Sequence, residues 1–454
     1  MLSDTQRAFF RTGATREIAF RKAQLEKLRA ALVAREAAIL AALKEDLGRP
    51  AEEAYTSEIG IVLAEIDAAR KSVAAWAKPR RVRTPPALFP ATSRVEAQPY
   101  GSALIIAPWN YPLQLALAPL VAAIAAGNCA VVKPSQAALR TSRVVAALIG
   151  ETFDPQYVAA VEGGIAETQA LLAERFDYIF FTGAAHVGRA VMAAAAKHLT
   201  PVTLELGGKS PCIVARDADL ATAARRIAWG KFVNAGQTCI APDFVLAHRA
   251  IRPALVARLA AELRAFYGKD PKASPDYGRI VDERHFDRLA ALLRDGRVAV
   301  GGQPDRAQRY IAPTILEGVG WDAPIMQEEI FGPILPVLEF DDLDAEIARL
   351  QALPAPLAVY CFTSSRETER KVLGRLPSGG ACVNDVFGQF LNLRLPFGGI
   401  GESGMGTYHG KAGFDTFSHL RAVVRRGNWA DPGVRYPPYK TPLAVLRRII
   451  SFLL

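Results

Sequence analysis

Apolar positions change period several times along the chain, and each change marks an element. Over 15–47, Leu25, Leu28, Leu32, Ile39 and Leu43 recur at helical spacing until Gly48-Arg49-Pro50, which predicts one long amphipathic helix. A second helix is predicted over 53–76. The stretch 78–100 loses that period. Pro79, Pro85, Pro86, Pro90 and Pro99 interrupt any helix, and 93–98 alternates like an exposed strand, so the stretch reads as an arm leaving the body. From 102 onward short apolar runs alternate with helical patterns. Strands are predicted over 102–107, 129–132, 157–161 and 178–181, with helices over 113–126, 142–153, 166–173 and 188–197. A helix over 218–233, a strand over 244–248, a helix over 251–267 and a strand over 310–316 follow. Such alternation predicts an α/β fold built on a doubly wound parallel sheet, the usual support for a dinucleotide.

Two stretches carry the chemistry. Lys231–Asp243 places Cys239 after a helical pattern has ended, behind Gly236 and between Gln237-Thr238 and an apolar run that Pro242 stops. A turn or loop is a good position for a nucleophile, although a lone cysteine also serves as a small core residue. The second stretch, Leu204 to Pro211, holds Glu205 within an apolar run that ends in Gly207-Gly208. A cysteine and a carboxylate base with no metal-ligand cluster suggest covalent catalysis with an activated water. No metal site is expected.

Glu205-Leu206-Gly207-Gly208-Lys209-Ser210-Pro211, followed by Gly236-Gln237-Thr238-Cys239, resembles the aldehyde dehydrogenase superfamily. The stretch 408–419, Tyr-His-Gly-Lys-Ala-Gly-Phe-Asp-Thr-Phe-Ser-His, narrows the resemblance to the class 3-like branch of fatty and aromatic aldehyde dehydrogenases. It implies a Rossmann-like cofactor domain (1–83 and 101–206), a second α/β catalytic domain (207–385), an oligomerisation arm (84–100 and 386–426) and a tail helix (427–454). The implied activity is NAD(P)-dependent oxidation of an aldehyde, medium- or long-chain or aromatic, to the acid through a cysteine thiohemiacetal and thioester. Cys239 would be the nucleophile and Glu205 the base for thioester hydrolysis. Asn110, with the backbone N–H of Cys239, would hold the oxyanion.

The resemblance also implies cofactor contacts from Pro108, Trp109, Lys133, Ser135, Thr182, Gly183, Ala184, Gly188, Leu206, Glu329 and Phe331. Lys133 would meet the adenosine ribose hydroxyls and Glu329 the nicotinamide ribose, with Phe331 packed nearby. On its residues alone, 182–188 reads more readily as turn chemistry, Asn110 equally as a turn residue, and Lys133 as a solvated lysine. Two departures stand out. Ala184 replaces a common serine, removing one phosphate hydrogen bond. Gln136 stands where the family usually has glutamate, which removes a charge repelling a 2′-phosphate and leaves NADP open beside NAD. A coenzyme-A-acylating relative and a non-catalytic nucleotide binder are the alternatives. A cysteine hydrolase would want a histidine base, and His409 and His419 read as structural.

Bulk properties change little. The formal charge of +10 is spread along 454 residues without a nucleic-acid motif, so no nucleic-acid partner is expected. Five cysteines without a C-x-x-C pair favour a reducing compartment, and no secretory leader or run of 18 apolar residues is read, so a cytoplasmic location is expected. The aromatic loop 386–391 is either packed core or the mouth of an apolar substrate tunnel. The alternating arm predicts a homodimer. A helix over 442–454, with Leu443, Leu446, Ile449, Ile450, Leu453 and Leu454 opposite Arg447 and Arg448, would dock on a partner subunit or lie on a membrane surface.

Overall fold

The structure, a computed structural model, describes residues 1–431 and 433–453; the side chains at 434, 449, 452 and 453 are outside the description, as is Leu454 of the C-terminal pattern. Two sheets form its centre. The first has six strands in the order Gly404–Met405, Val202–Glu205, Tyr178–Thr182, Ser102–Ile106, Cys129–Lys133 and Val158–Ala160, all parallel except the first. The second has seven, in the order Arg297–Val300, Thr314–Glu317, Ile334–Phe340, Phe244–His248, Pro211–Val214, Ala358–Phe362 and Gly380–Val383, with only Arg297–Val300 antiparallel. Central strands such as Ser102–Ile106 and Ala358–Phe362 are buried at every residue. That is why they read as continuous apolar runs rather than alternating ones. The expected α/β architecture is therefore present.

A third sheet pairs Arg80–Val82, Ala91–Pro99 and Ser418–Arg426, all antiparallel. Ser418–Arg426 matches Ala91–Pro99 residue for residue, from Ser418 opposite Pro99 to Arg426 opposite Ala91. Among the described residues no strand pairs with its outer edge, and it exposes Leu420 and Val424. The C-terminal helix Leu443–Leu453 lies beside the turn Pro86–Leu88. Among the described residues no helix is long and apolar enough to cross a membrane.

Four expectations change. The helix over 15–47 is two helices, Ile18–Ala34 and Glu36–Leu47, because Arg35 leaves helical geometry at φ −106°, ψ 10° without a glycine or proline to announce it. The strand over 310–316 is also two, Tyr310–Ile311 pairing with Pro304–Asp305 and Thr314–Glu317 in the large sheet. Pro313 between them has no N–H to donate to a ladder. The helix expected to open at Gly188 opens at Ala185, so Gly188 lies inside it. Finally, 386–417, grouped with the arm on sequence, packs on the body: Gly404–Met405 extends the six-stranded sheet, and Phe397, Tyr408, Phe414 and Phe417 are core residues.

All of this directs one edge. The C-terminal ends of the strands at 102–106, 129–133, 178–182 and 202–205 lie together. They carry Pro108-Trp109-Asn110, Lys133, Thr182-Gly183 and Glu205-Leu206-Gly207 respectively. Ligands bind at this edge of open parallel sheets.

Candidate active site

The helix Leu220–Phe232 ends abruptly before Cys239. Asn234 and Ala235 take left-handed φ values of 52° and 51°, and Gly236 follows at 75°. A Cβ on Gly236 would sit 2.2 Å from the Gly332 carbonyl oxygen, so only glycine fits there. Left-handed non-glycine residues cost about 1–3 kcal/mol each and persist where neighbours over-determine them. Gln237 does so here. Its amide nitrogen donates to Asn234 O (2.9 Å) and Arg279 O (3.0 Å), and its amide oxygen accepts from Val281 N (2.9 Å). The turn leaves Cys239 half-buried with a free thiol. Burial first, then the Glu329 and Glu205 carboxyls, push that thiol's pKa far up.

Asn110 reaches the same loop. Its amide nitrogen donates to Gln237 O at 3.0 Å, and its own carbonyl accepts from Asn234 Nδ2 at 2.9 Å. A buried ion pair fixes it from behind. Arg49 Nη1 meets Glu58 Oε1 at 2.6 Å with both side chains fully buried, and Arg49 Nη2 donates to Asn110 O at 2.5 Å. The other Glu58 oxygen accepts from Leu113 N (2.9 Å) and Gln114 N (2.7 Å), tying down free N–H groups where the helix Gln114–Ala126 begins.

Glu205 ends the strand Val202–Glu205. It is 3 % exposed, and neither carboxylate oxygen has a protein partner. Burial alone raises its pKa well above the usual carboxylate value. Glu205 and Cys239 line one cavity of about 570 Å³, together with Tyr111, Gln114, Trp229, Phe387, Phe390, Leu391, Phe397 and Tyr408. Phe387 packs edge-on against Trp229 at 5.2 Å. The aromatic loop 386–391 therefore lines the cavity.

A second cavity, of about 520 Å³, is lined by Ala184, Ala185, Gly207, Gly208, Lys209, Glu328 and Glu329. Lys209 Nζ gathers its wall by donating to Asp243 Oδ2 (2.5 Å), Ile325 O (2.8 Å) and Glu328 O (2.9 Å). Glu329 is pushed up to about 8 by burial and by Asp243, against Lys209 and Lys231. Phe331 stands at φ 51° with its ring edge-on to Trp109 at 5.3 Å. Pro108 and Trp109 are half-buried beside Asn110.

The chain matches the aldehyde dehydrogenase family over residues 3–423. The chain belongs to the aldehyde dehydrogenase family. It is 49 % identical over 436 residues to the 4,4'-diaponeurosporen-aldehyde dehydrogenase of Staphylococcus aureus, covering 96 % of this chain and 95 % of that one. It is 48 % identical over 435 residues to aldehyde dehydrogenase family 3 member B1 of Rattus norvegicus, covering 95 % and 93 %. A solved structure described as the substrate-bound state of Staphylococcus aureus AldH superposes with a TM-score of 0.96 at 47 % identity, covering 98 % of each chain. These relatives place this aldehyde dehydrogenase on the class 3-like branch.

The dinucleotide implied for an aldehyde dehydrogenase fits the second cavity. The helix Ala185–Ala196 opens with no side-chain cap at Ala184, which leaves backbone N–H groups for a pyrophosphate. Close backbone approach is enforced: a Cβ on Gly207 would lie 2.0 Å from Glu329 Oε2, one on Gly183 2.6 Å from the Phe181 ring, and one on Gly188 2.8 Å from Leu206 Cδ2. Thr182 Oγ1, at the end of the neighbouring strand, is buried without a partner on the wall of the first cavity. Lys133 Nζ is held at its strand end by Pro134 O (2.9 Å) and Gly163 O (2.6 Å). Ser135 Oγ accepts from Ala137 N at 3.3 Å, and Gln136 lies against Gly164.

Sequence reasoning missed Arg49, Glu58, Gln114, Lys231 and Tyr408. Arg49 was read as part of a helix stop. Its partner Glu58 is nine residues on in sequence, and the Asn110 carbonyl is 61 away. Lys231 is fully buried with no partner for its ammonium, and burial pushes its pKa down to about 8. An isolated lysine within a helical apolar pattern could have signalled it.

Proposed function

We propose that this aldehyde dehydrogenase oxidises medium- or long-chain or aromatic aldehydes to carboxylic acids with NAD, through a covalent intermediate on Cys239. The observation that carries this is the shared cavity, in which a half-buried free thiol and an unpartnered buried carboxyl line one aromatic-rich space. The Cys239 thiolate attacks the aldehyde carbon, forming a C–S bond, and the carbonyl oxygen becomes an oxyanion. Asn110 Nδ2 and the Cys239 N–H are its donors, held in advance by Arg49 and Gln237. NAD, when bound, supplies the two-electron acceptor that turns the thiohemiacetal into a thioester. Glu205 then takes a proton from water, the water oxygen bonds to the acyl carbon, and the C–S bond breaks to return the thiolate. A carboxylate whose pKa is raised by burial is a better base near neutrality than an ordinary one.

Glu329 and Phe331 are assigned to the nicotinamide side of the cofactor, Thr182 to Gly188 with Leu206 to the pyrophosphate, and Lys133 and Ser135 to the adenosine. Pro108 and Trp109 belong to the nicotinamide end through Phe331. Gln136 adds no charge, so NADP is accepted beside NAD. The split into a cofactor unit, a catalytic unit and an arm follows the three sheets. The exposed edge of Ser418–Arg426 supports a homodimer, and the chain works in the cytoplasm. The deciding experiment is NADH absorbance with an aldehyde series, with and without coenzyme A. Free acid should form without coenzyme A, with kcat/KM rising from short to long aldehydes. Strict dependence on coenzyme A, or equal efficiency with acetaldehyde, would contradict the assignment.

A further inference from the structure

Five polar atoms of four side chains are buried in the substrate cavity without protein partners: Gln114 Nε2, Tyr408 OH, Thr182 Oγ1 and both oxygens of Glu205. Gln114 and Tyr408 are each 1 % exposed. An unsatisfied buried polar group costs about 1–3 kcal/mol, and native chains keep few of them. Four such side chains around one cavity with a nucleophile is a site built for a small polar guest.

The two residues outside the assigned chemistry are rigidly held. Gln114 starts its helix with its backbone N–H on Glu58 at 2.7 Å. Tyr408 is bridged through its backbone to Phe397 (Tyr408 N to Phe397 O, 2.7 Å; Phe397 N to Tyr408 O, 3.0 Å). Its ring stacks on His409 at 4.3 Å and meets Phe180 edge-on at 5.3 Å. His409 is itself fixed by Glu65, with Nδ1 to Oε1 at 2.5 Å. The Gln114 side chain lies within interaction range of the Tyr408 hydroxyl and favours its ionised form, yet neither Gln114 Nε2 nor Tyr408 OH makes a hydrogen bond of full geometry, which leaves room for a guest to bridge them.

We propose that Gln114 and Tyr408 are positioning residues that hold, with Glu205, the water that cleaves the acyl thioester. The proposal rests on the covalent reading above. The water's own two hydrogens and two lone pairs are all used. The water gives one proton to Glu205 and points its other hydrogen at the Tyr408 oxygen. It accepts one hydrogen bond from Gln114 N–H, and its remaining lone pair faces the acyl carbon. In the step an O–C bond forms, the first proton passes to Glu205, and the C–S electron pair returns to Cys239. Without Gln114 or Tyr408 the water keeps its base but loses its orientation.

Tyr408→Phe and Gln114→Met test this. Each variant should show a burst of one NADH per site followed by steady turnover slowed about tenfold or more, the scale of a lost orienting contact. Added hydroxylamine attacks the thioester without the positioned water. The ratio of hydroxamate to acid should therefore rise about tenfold over the wild type in both variants. An unchanged ratio, or burst and steady rate falling together, overturns the proposal. Cys239→Ala separates the two levels. If it still turns aldehyde into acid, the covalent reading itself fails; if it is inert while the ratio is unchanged in both variants, only the water-positioning assignment fails.

Discussion

Glu58 and Glu205 are both sealed from solvent, yet only Glu58 has partners. Glu58 has Arg49 on one oxygen and two backbone N–H groups on the other, all within 2.9 Å. Glu205 has none on either oxygen. Burial raises the pKa of both, but at Glu58 the Arg49 charge and the backbone donors oppose it, whereas at Glu205 nothing does. The contrast separates a carboxylate that organises the site from one kept ready for a proton. Glu58 fixes the first turn of the helix that carries Gln114 and, through Arg49, the carbonyl of Asn110. Glu205 is left free to exchange protons with what enters the cavity.

Substitutions at the two positions should therefore fail in different ways. Glu205→Gln should lower steady-state turnover by about 10²–10⁴-fold, the usual contribution of a general base, while the chain stays folded and binds nucleotide. Unchanged steady-state turnover would remove Glu205 from the mechanism. Arg49→Met leaves Glu58 without its buried counter-charge and should destabilise the fold by about 3–5 kcal/mol, seen as a lowered midpoint in urea. A midpoint equal to wild type would show that the pair is not structural.

The same contrast has a pH signature. The folded chain keeps the Glu205 proton above the ordinary value near 4.5, whereas the unfolded chain releases it. The raised carboxyl thus favours folding below the unfolded pKa, and that contribution is lost as pH rises through the folded pKa. Glu205→Gln removes this loss and should raise Tm by about 1–3 °C at alkaline pH, the difference closing below the ordinary carboxylate range. A variant that melts lower than wild type at every pH would contradict the absence of partners.

The smallest effect lies farthest from this pair. Truncation at Lys440 removes a helix exposing Leu443, Val445 and Ile450 and should leave turnover within about twofold, the effect of contacts outside the chemistry. Flotation with anionic vesicles by the full chain but not the truncation would assign the helix to a membrane surface. No flotation of either at low salt would assign it to a cap on the protein.

Much of the fold was legible because buried parallel strands and their crossover helices have distinct apolar periods. The turn before Cys239 was legible from Gly236 alone. The break at Arg35 was not, since no residue there marks it chemically. Nor was the split of 310–316, because the apolar pattern runs through Pro313 while the hydrogen-bond ladder cannot. Cys239 and Glu205 stood out as local motifs, whereas Asn110 was implied only by the family resemblance; Cys239 and Glu205 line one cavity and Asn110 bonds to the turn before Cys239. The Arg49–Glu58 pair and the Gln114–Tyr408 pair were invisible for a common reason. Both depend on tertiary packing: Arg49 acts on the Asn110 carbonyl 61 residues away, Gln114 and Tyr408 come from distant parts of the chain, and nothing local distinguishes a buried glutamine or tyrosine from a packed one.

The account centres on an acyl group carried by Cys239 and released by Glu205, and a trapped intermediate tests it most directly. Glu205→Gln protein mixed with NAD and a long-chain aldehyde, quenched in acid and digested, should yield the Cys239 peptide carrying one acyl group for each NADH formed. NADH formed at that stoichiometry with Cys239 unmodified would contradict it.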